Sequence, residues 1–179
     1  MLMGEDLLVF CGERGVGRST MALRLRTGHF LDDYDPTGEI DLRVGPVNCV
    51  IVDRWQTGRY TYGSAEDNIR KGKGLFLLYS IACRIHGLIE TILRVTDEDK
   101  ILMPTILIGT KCDLDDSCRQ VTTKEGEDLA ASLGILFFET SSKDNINVTE
   151  AFDELVRMMM APPAPAEPEK KKKSGCLVA

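Results

Sequence analysis

Apolar residues in this chain gather into short continuous runs, at Leu7–Cys11, Cys49–Val52, Leu75–Ile81, Thr105–Ile108 and Ile135–Phe138. Runs without polar alternation predict strands buried on both faces, as in a parallel sheet covered by helices. Between them the pattern shifts to helical spacing, at about residues 18–28, 64–71, 85–96, 123–133 and 147–160. The last is the clearest, because Val148, Ala151, Phe152, Leu155, Val156 and Met159 share one helical face. Ile40–Val44 and Val47–Val52 flank Gly45-Pro46 and read as an antiparallel hairpin. The expected architecture is α/β: a six-stranded, mostly parallel sheet with helices on both faces. Ligands of such sheets sit at the C-terminal ends of the strands, so the loops there should carry function.

The chain has 179 residues, 43% of them hydrophobic, enough for one sizeable core. Four prolines between 161 and 169 break the pattern, dividing the chain into a domain at 1–160 and a tail at 161–179. Net charge is −6, and the tail carries four lysines against two glutamates, leaving −8 on residues 1–160. An acidic body lacks the basic stripe that nucleic acid requires. The six cysteines show no paired metal spacing and read as reduced, packed thiols, with Cys176 set apart by its position. Neither a secretory signal nor a stretch of about eighteen apolar residues is apparent, so the body is expected to be soluble and to face the cytosol.

Gly12-Glu13-Arg14-Gly15-Val16-Gly17-Arg18-Ser19 follows the first strand and opens a helix. It matches the phosphate-binding pattern G-x-x-x-x-G-K-[S/T] except that Arg18 replaces the lysine. Inward-pointing backbone N–H groups and a helix N-terminus can cradle a polyphosphate, with the Ser19 hydroxyl available to Mg²⁺. A Gly-rich turn without a ligand remains the alternative for this motif taken singly. Arginine keeps the charge but is bulkier and planar. Two further loops follow strands: Thr110-Lys111-Cys112-Asp113 and Thr140-Ser141-Ser142-Lys143. A carboxylate can accept both N–H groups on one edge of guanine, a donor pair adenine does not present. The stem of Lys111 can cover a ring face, and Ser141, Ser142 and Lys143 can close the other edge.

Together with Tyr34-Asp35-Pro36-Thr37 and Phe137-Phe138-Glu139, these stretches make the chain resemble the Ras superfamily of small GTPases over about residues 5–160 plus the tail. The resemblance implies a Ras-like P-loop NTPase fold that binds GTP or GDP with Mg²⁺ and hydrolyses GTP. It assigns the phosphates to Glu13, Arg14, Gly15, Val16, Gly17, Arg18, Ser19 and Thr20, with Tyr34, Pro36 and Thr37 in the first switch. The metal falls to Ser19, Thr37 and Asp53, and the base to Thr110, Lys111, Asp113, Ser141, Ser142 and Lys143. Thr110 is the Rho-type variant of a position that is usually asparagine. The second switch departs from the family's Asp-x-x-Gly-Gln, reading Asp53-Arg54-Trp55-Gln56-Thr57. Gln56 stands at the γ-phosphate-sensing glycine and Thr57 at the water-orienting glutamine. The catalytic set is then Thr37, Gln56 and Thr57, and threonine lacks the amide that positions water. Arg14 occupies a place where glycine leaves room at the γ-phosphate. Slow hydrolysis is the expectation.

The tail ends Lys170-Lys171-Lys172-Lys173-Ser174-Gly175-Cys176-Leu177-Val178-Ala179. Its last four residues fit the C-a-a-X prenylation signal at Cys176, with a terminal alanine that points to farnesyl. One lipid chain binds only marginally, and the lysine run can add attraction to anionic lipids. Lipid anchoring at the cytoplasmic face of the plasma membrane is the implied location, with effector and regulator proteins unidentified. Three functional classes stay open: a slow GTPase, a GTP-loaded binding module, and a nucleotide-free scaffold.

Overall fold

A computed structural model describes residues 7–31, 42–44, 47–53, 69–83 and 103–161, with 42–44 and 47–53 described as backbone only. In chain order the elements are β1 (Leu7–Gly12), α1 (Arg18–Thr27), β2 (Leu42–Val44), β3 (Val47–Asp53), β4 (Gly74–Ser80), β5 (Thr105–Thr110), α2 (Thr123–Leu133), β6 (Leu136–Thr140) and α3 (Val148–Met160). A single 3₁₀ turn at Asp116–Cys118 precedes α2. The expected helix at 85–96 lies outside the described residues; of 64–71, residues 69–71 are helical.

The sheet has the order β2-β3-β1-β4-β5-β6. The β1–β3, β1–β4, β4–β5 and β5–β6 pairs are parallel, and β2–β3 is antiparallel. Strand parity divides the interior into two cores. Leu8, Phe10, Phe76, Leu78, Ile106 and Ile108 face α1 and α3, where Met21, Ala22, Val148, Ala151, Phe152 and Leu155 meet them. Val9, Leu75, Leu77, Tyr79 and Leu107 face the other way, toward Ile69, Val121 and Ala130 of α2. The apolar face expected of the last helix is therefore the one that α3 buries. Each fully buried Leu, Ile or Phe contributes about 1.5–3 kcal/mol, so these layers hold the strand ends in place. Among the described residues, no helix is long and apolar enough to cross a membrane.

Local chemistry sets the element ends. At the start of α2, the Thr122 hydroxyl accepts from Glu125 N–H, and the Glu125 carboxylate accepts from Thr122 N–H. That capping box satisfies two donors a helix start otherwise leaves unmet. α1 and α2 both stop at glycines in the left-handed region, Gly28 and Gly134. Two strands run further than their apolar runs suggested. β5 takes in Gly109 and Thr110, and β6 runs to Thr140, because those polar residues find main-chain partners in the ladder. Ile135, expected to open β6, instead donates its N–H to Ala130 at the end of α2. Cys11 is buried, but Cys83 and Cys118 are exposed, which corrects the expectation that the thiols are packed.

Candidate functional site

A cavity of about 370 Å³ opens where the loops after β1, β5 and β6 converge, lined by Gly17, Thr20, Phe30, Leu31, Thr110, Lys111, Asp113, Leu114, Ser142 and Lys143. The loop Glu13–Gly17 leaves β1 under tight constraint. A Cβ on Gly12 would lie 2.5 Å from the carbonyl oxygen of Leu78, so only glycine lets the loop start this close to β4. Gly15 and Gly17 have φ of 80° and 98°, which a side chain would strain. Val16 points into the core, while Arg14 is exposed and Glu13 half-buried. Arg18, the first residue of α1, is buried at 7% exposure, and Ser19 and Thr20 are half-buried beside it.

Two consecutive residues at the end of β5 grip this loop. The Thr110 hydroxyl lies 2.5 Å from the carbonyl oxygen of Val16 and 2.9 Å from that of Tyr79, and with one proton it donates to one at a time. Lys111 adopts φ of 64° and donates from Nζ to the carbonyl oxygen of Gly15 at 2.7 Å. The hydroxyl of Thr110 is thus committed to the protein's own carbonyls, a structural task beyond the ligand contact its loop suggested.

Asp113 is half-buried. Its Oδ1 accepts from the Ser141 hydroxyl at 2.6 Å, leaving Oδ2 without a partner among the described residues. Ser141 is fully buried and does not line the cavity; its hydroxyl also accepts from Asp144 N–H at 3.0 Å. It aims the carboxylate and shapes the loop, whereas Ser142 and Lys143 form the wall. Burial, reinforced by the Glu139 and Asp113 carboxylates, pushes the Cys112 thiol up, which keeps it protonated near neutrality.

Behind the wall, Arg119 donates to both carboxylate oxygens of Glu139, at 2.6 and 3.1 Å, and Thr123 donates to the same group. Tyr79 sits against this pair. Burial first, and then the Glu139 charge, hold its phenol well above the usual range.

Asp53 ends β3 in register with Gly12, so the backbones of the two residues lie side by side. Tyr34, Pro36, Thr37, Gln56, Thr57 and Cys176 lie outside the described residues. Phe30, Leu31 and Leu114 line the cavity and were missed by sequence reasoning, and of these Phe30 offers the largest apolar surface. It follows α1 by three residues as a lone aromatic, and its nearness to the Tyr34–Thr37 stretch was the only available signal.

Residues 7–161 match the family model described as Ras family. The chain is similar to Ras-like protein rasB of Dictyostelium discoideum, 36% identical over 184 aligned positions that cover 97% of this chain and 92% of the relative. Loops at the strand ends, the cavity they enclose and both comparisons converge: the chain belongs to the Ras family of small GTPases.

Proposed function

We propose that this protein is a membrane-anchored switch that binds GTP and GDP with Mg²⁺ and hydrolyses GTP slowly. The observation that carries guanine recognition is the half-satisfied carboxylate of Asp113 at the cavity wall. With Oδ1 held by Ser141, Oδ2 projects an acceptor from a fixed base, suited to the N–H pair on the guanine edge. Lys111 and Phe30 supply apolar surface for a ring, and Gly17 and Thr20 continue the wall toward the phosphate loop.

The residues present fit a bound magnesium nucleotide. Ser19 is the second residue of α1, at the positive end of the helix dipole, and the register of Asp53 against Gly12 brings an acidic residue beside the same loop. Ser19, Asp53 and Thr37 would hold the metal, which when bound neutralises phosphate charge. Gly15, Val16, Gly17 and Arg18 would bind the phosphates, with Tyr34 and Pro36 on the first switch.

Turnover rests on weaker ground. Thr57 offers no amide to orient water, Gln56 replaces a backbone-only glycine, and Arg14 adds bulk at the loop's exposed turn. Arg18 favours a second reading, a scaffold with little nucleotide chemistry, because a bulkier, planar guanidinium is not equivalent to the compact ammonium that the loop pattern calls for. Nucleotide co-purifying with the protein separates the two. Bound GDP or GTP supports the switch, and an empty protein with equal weak affinity for ATP and GTP removes it.

The tail completes the proposal. Cys176 would carry a prenyl group and Lys170–Lys173 would add attraction to anionic lipids, each incomplete alone. Cys176→Ser should shift the protein to the soluble fraction with all four lysines intact; retention at the plasma membrane would show that the tail is held another way.

A further inference from the structure

The loop that closes the base side of the cavity is organised mainly from within. Ser141 and Ile146 exchange backbone hydrogen bonds at 3.1 and 3.0 Å, and Asn147 Nδ2 donates to the carbonyl oxygen of Glu139 at 2.8 Å. Asn145 and Asn147 both sit in the left-handed region, with φ of 57° and 53°. Asparagine adopts this region more readily than other side chains, so the two positions turn the loop at little cost. Beyond the Ser141–Asp113 bond at its root, a second side-chain bond reaches this loop from a distant part of the chain. Arg24 Nε donates to Asn145 Oδ1 at 3.0 Å across 121 residues of sequence.

Arg24 belongs to α1, whose first residues continue directly from the phosphate loop and whose Thr20 lines the cavity. Asn145 lies two residues beyond Lys143, which lines the cavity from the other side. The bond therefore ties the phosphate-side wall to the base-side wall. Arg24 is half-buried and Asn145 exposed, so the tie crosses the rim rather than the core.

We infer that Arg24 is a positioning residue that sets how long a nucleotide stays bound: its bond to Asn145 keeps the 142–145 segment closed over the base. The inference rests on the guanine-nucleotide reading above. Opening this bond frees the outer half of the loop while Ser141 still holds Asp113, so departure of the ligand accelerates more than its selectivity changes. A charge-assisted bond of this kind, fully expressed in the barrier to release, corresponds to about five- to tenfold in dissociation rate.

Dissociation of a fluorescent ribose-labelled GDP, chased with excess GDP in the presence of Mg²⁺, tests the inference on the full chain. Arg24→Ala and Asn145→Gly should each release the label about fivefold faster, and the double variant no faster than either. Glycine tolerates the positive φ at 145, so loop shape is kept. Arg24→Gln places an amide donor where Nε stands and should restore the slow rate, which a role through charge alone would not allow, while Arg24→Met keeps the stem without the donor and should stay fast, which a role through packing alone would not allow. Unchanged release from Arg24→Ala overturns the inference, as do additive effects in the double variant. Failure of the unmodified protein to hold any guanine nucleotide overturns both this inference and the reading beneath it.

Discussion

At the base end of the cavity, Asp113, Lys111 and Thr110 are each held by another part of the chain, through Ser141, Gly15 and the carbonyls of Val16 and Tyr79. At the phosphate end, the side chains that differ from the family pattern include Arg14 at the exposed turn of the loop and Arg18 buried at the start of α1. The two ends share a wall but not a job. Holding a base needs fixed donors and acceptors, while turnover needs room and a water-orienting amide at the γ-phosphate. A chain can therefore keep the first set intact while altering the second, and affinity and hydrolysis become separable quantities.

The largest break in that comparison should come from Asp113→Ala. Two hydrogen bonds to an ionised carboxylate are lost, and guanine affinity should fall by about 3 kcal/mol, more than a hundredfold in Kd. Competition between GDP and ADP measures it, and a variant that keeps its preference for GDP would assign recognition elsewhere. Next comes the support behind the base wall. Glu139→Ala strands the Arg119 guanidinium, 18% exposed, without its carboxylate. Unfolding stability should drop by about 2 kcal/mol in urea melts, with the phosphate end unchanged.

A third variant sharpens the contrast from the opposite side. Arg14→Gly combined with Gln56→Gly and Thr57→Gln should raise single-turnover hydrolysis about tenfold, close to 1.4 kcal/mol in the barrier, with little change in GDP affinity. No gain would move the deficit to Arg18. The smallest effect lies at the α2 cap. Hydrogen bonds from Thr122, first its N–H and then its hydroxyl, hold the Glu125 carboxyl below its usual value near 4.5. A depressed carboxyl contributes stability above that value and loses it as pH falls through the folded pKa. Glu125→Ala should lower the melting temperature slightly at neutral pH, and the difference should close as acidification carries the pH below the usual glutamate range.

Much of this fold could be read from apolar runs because central parallel strands are buried on both faces, leaving no polar positions to disguise them. The ends were harder. Thr110 and Thr140 look like loop residues until the neighbouring strand supplies ladder partners, and Ile135 looks like strand until Ala130 claims its N–H. In the site, motif spacing located Lys111, Asp113, Ser142 and Lys143, since their loops follow strands directly. It could not separate Ser141, which aims the carboxylate, from Ser142, which lines the wall, because adjacent serines differ only in where the backbone turns them. Phe30 has no periodic context, and Arg24 and Asn145 meet only through the folded sheet.

The contact between α2 and the sheet has a consequence for how this chain can change over time. A Cβ on Gly126 would fall 2.5 Å from the Tyr79 hydroxyl and 2.6 Å from the tip of Phe137, and one on Gly109 would fall 2.9 Å from that same hydroxyl. The Tyr79 ring thus fills volume that both glycines vacate, and Phe137 shares the space at Gly126, so the four positions form a single steric unit. Substitution at either glycine is blocked while tyrosine stays at 79, and a smaller residue at 79 opens a void while both glycines remain. Drift at this contact has to proceed by paired, mutually compensating exchanges, and the order in which they occur decides which sequences are reachable.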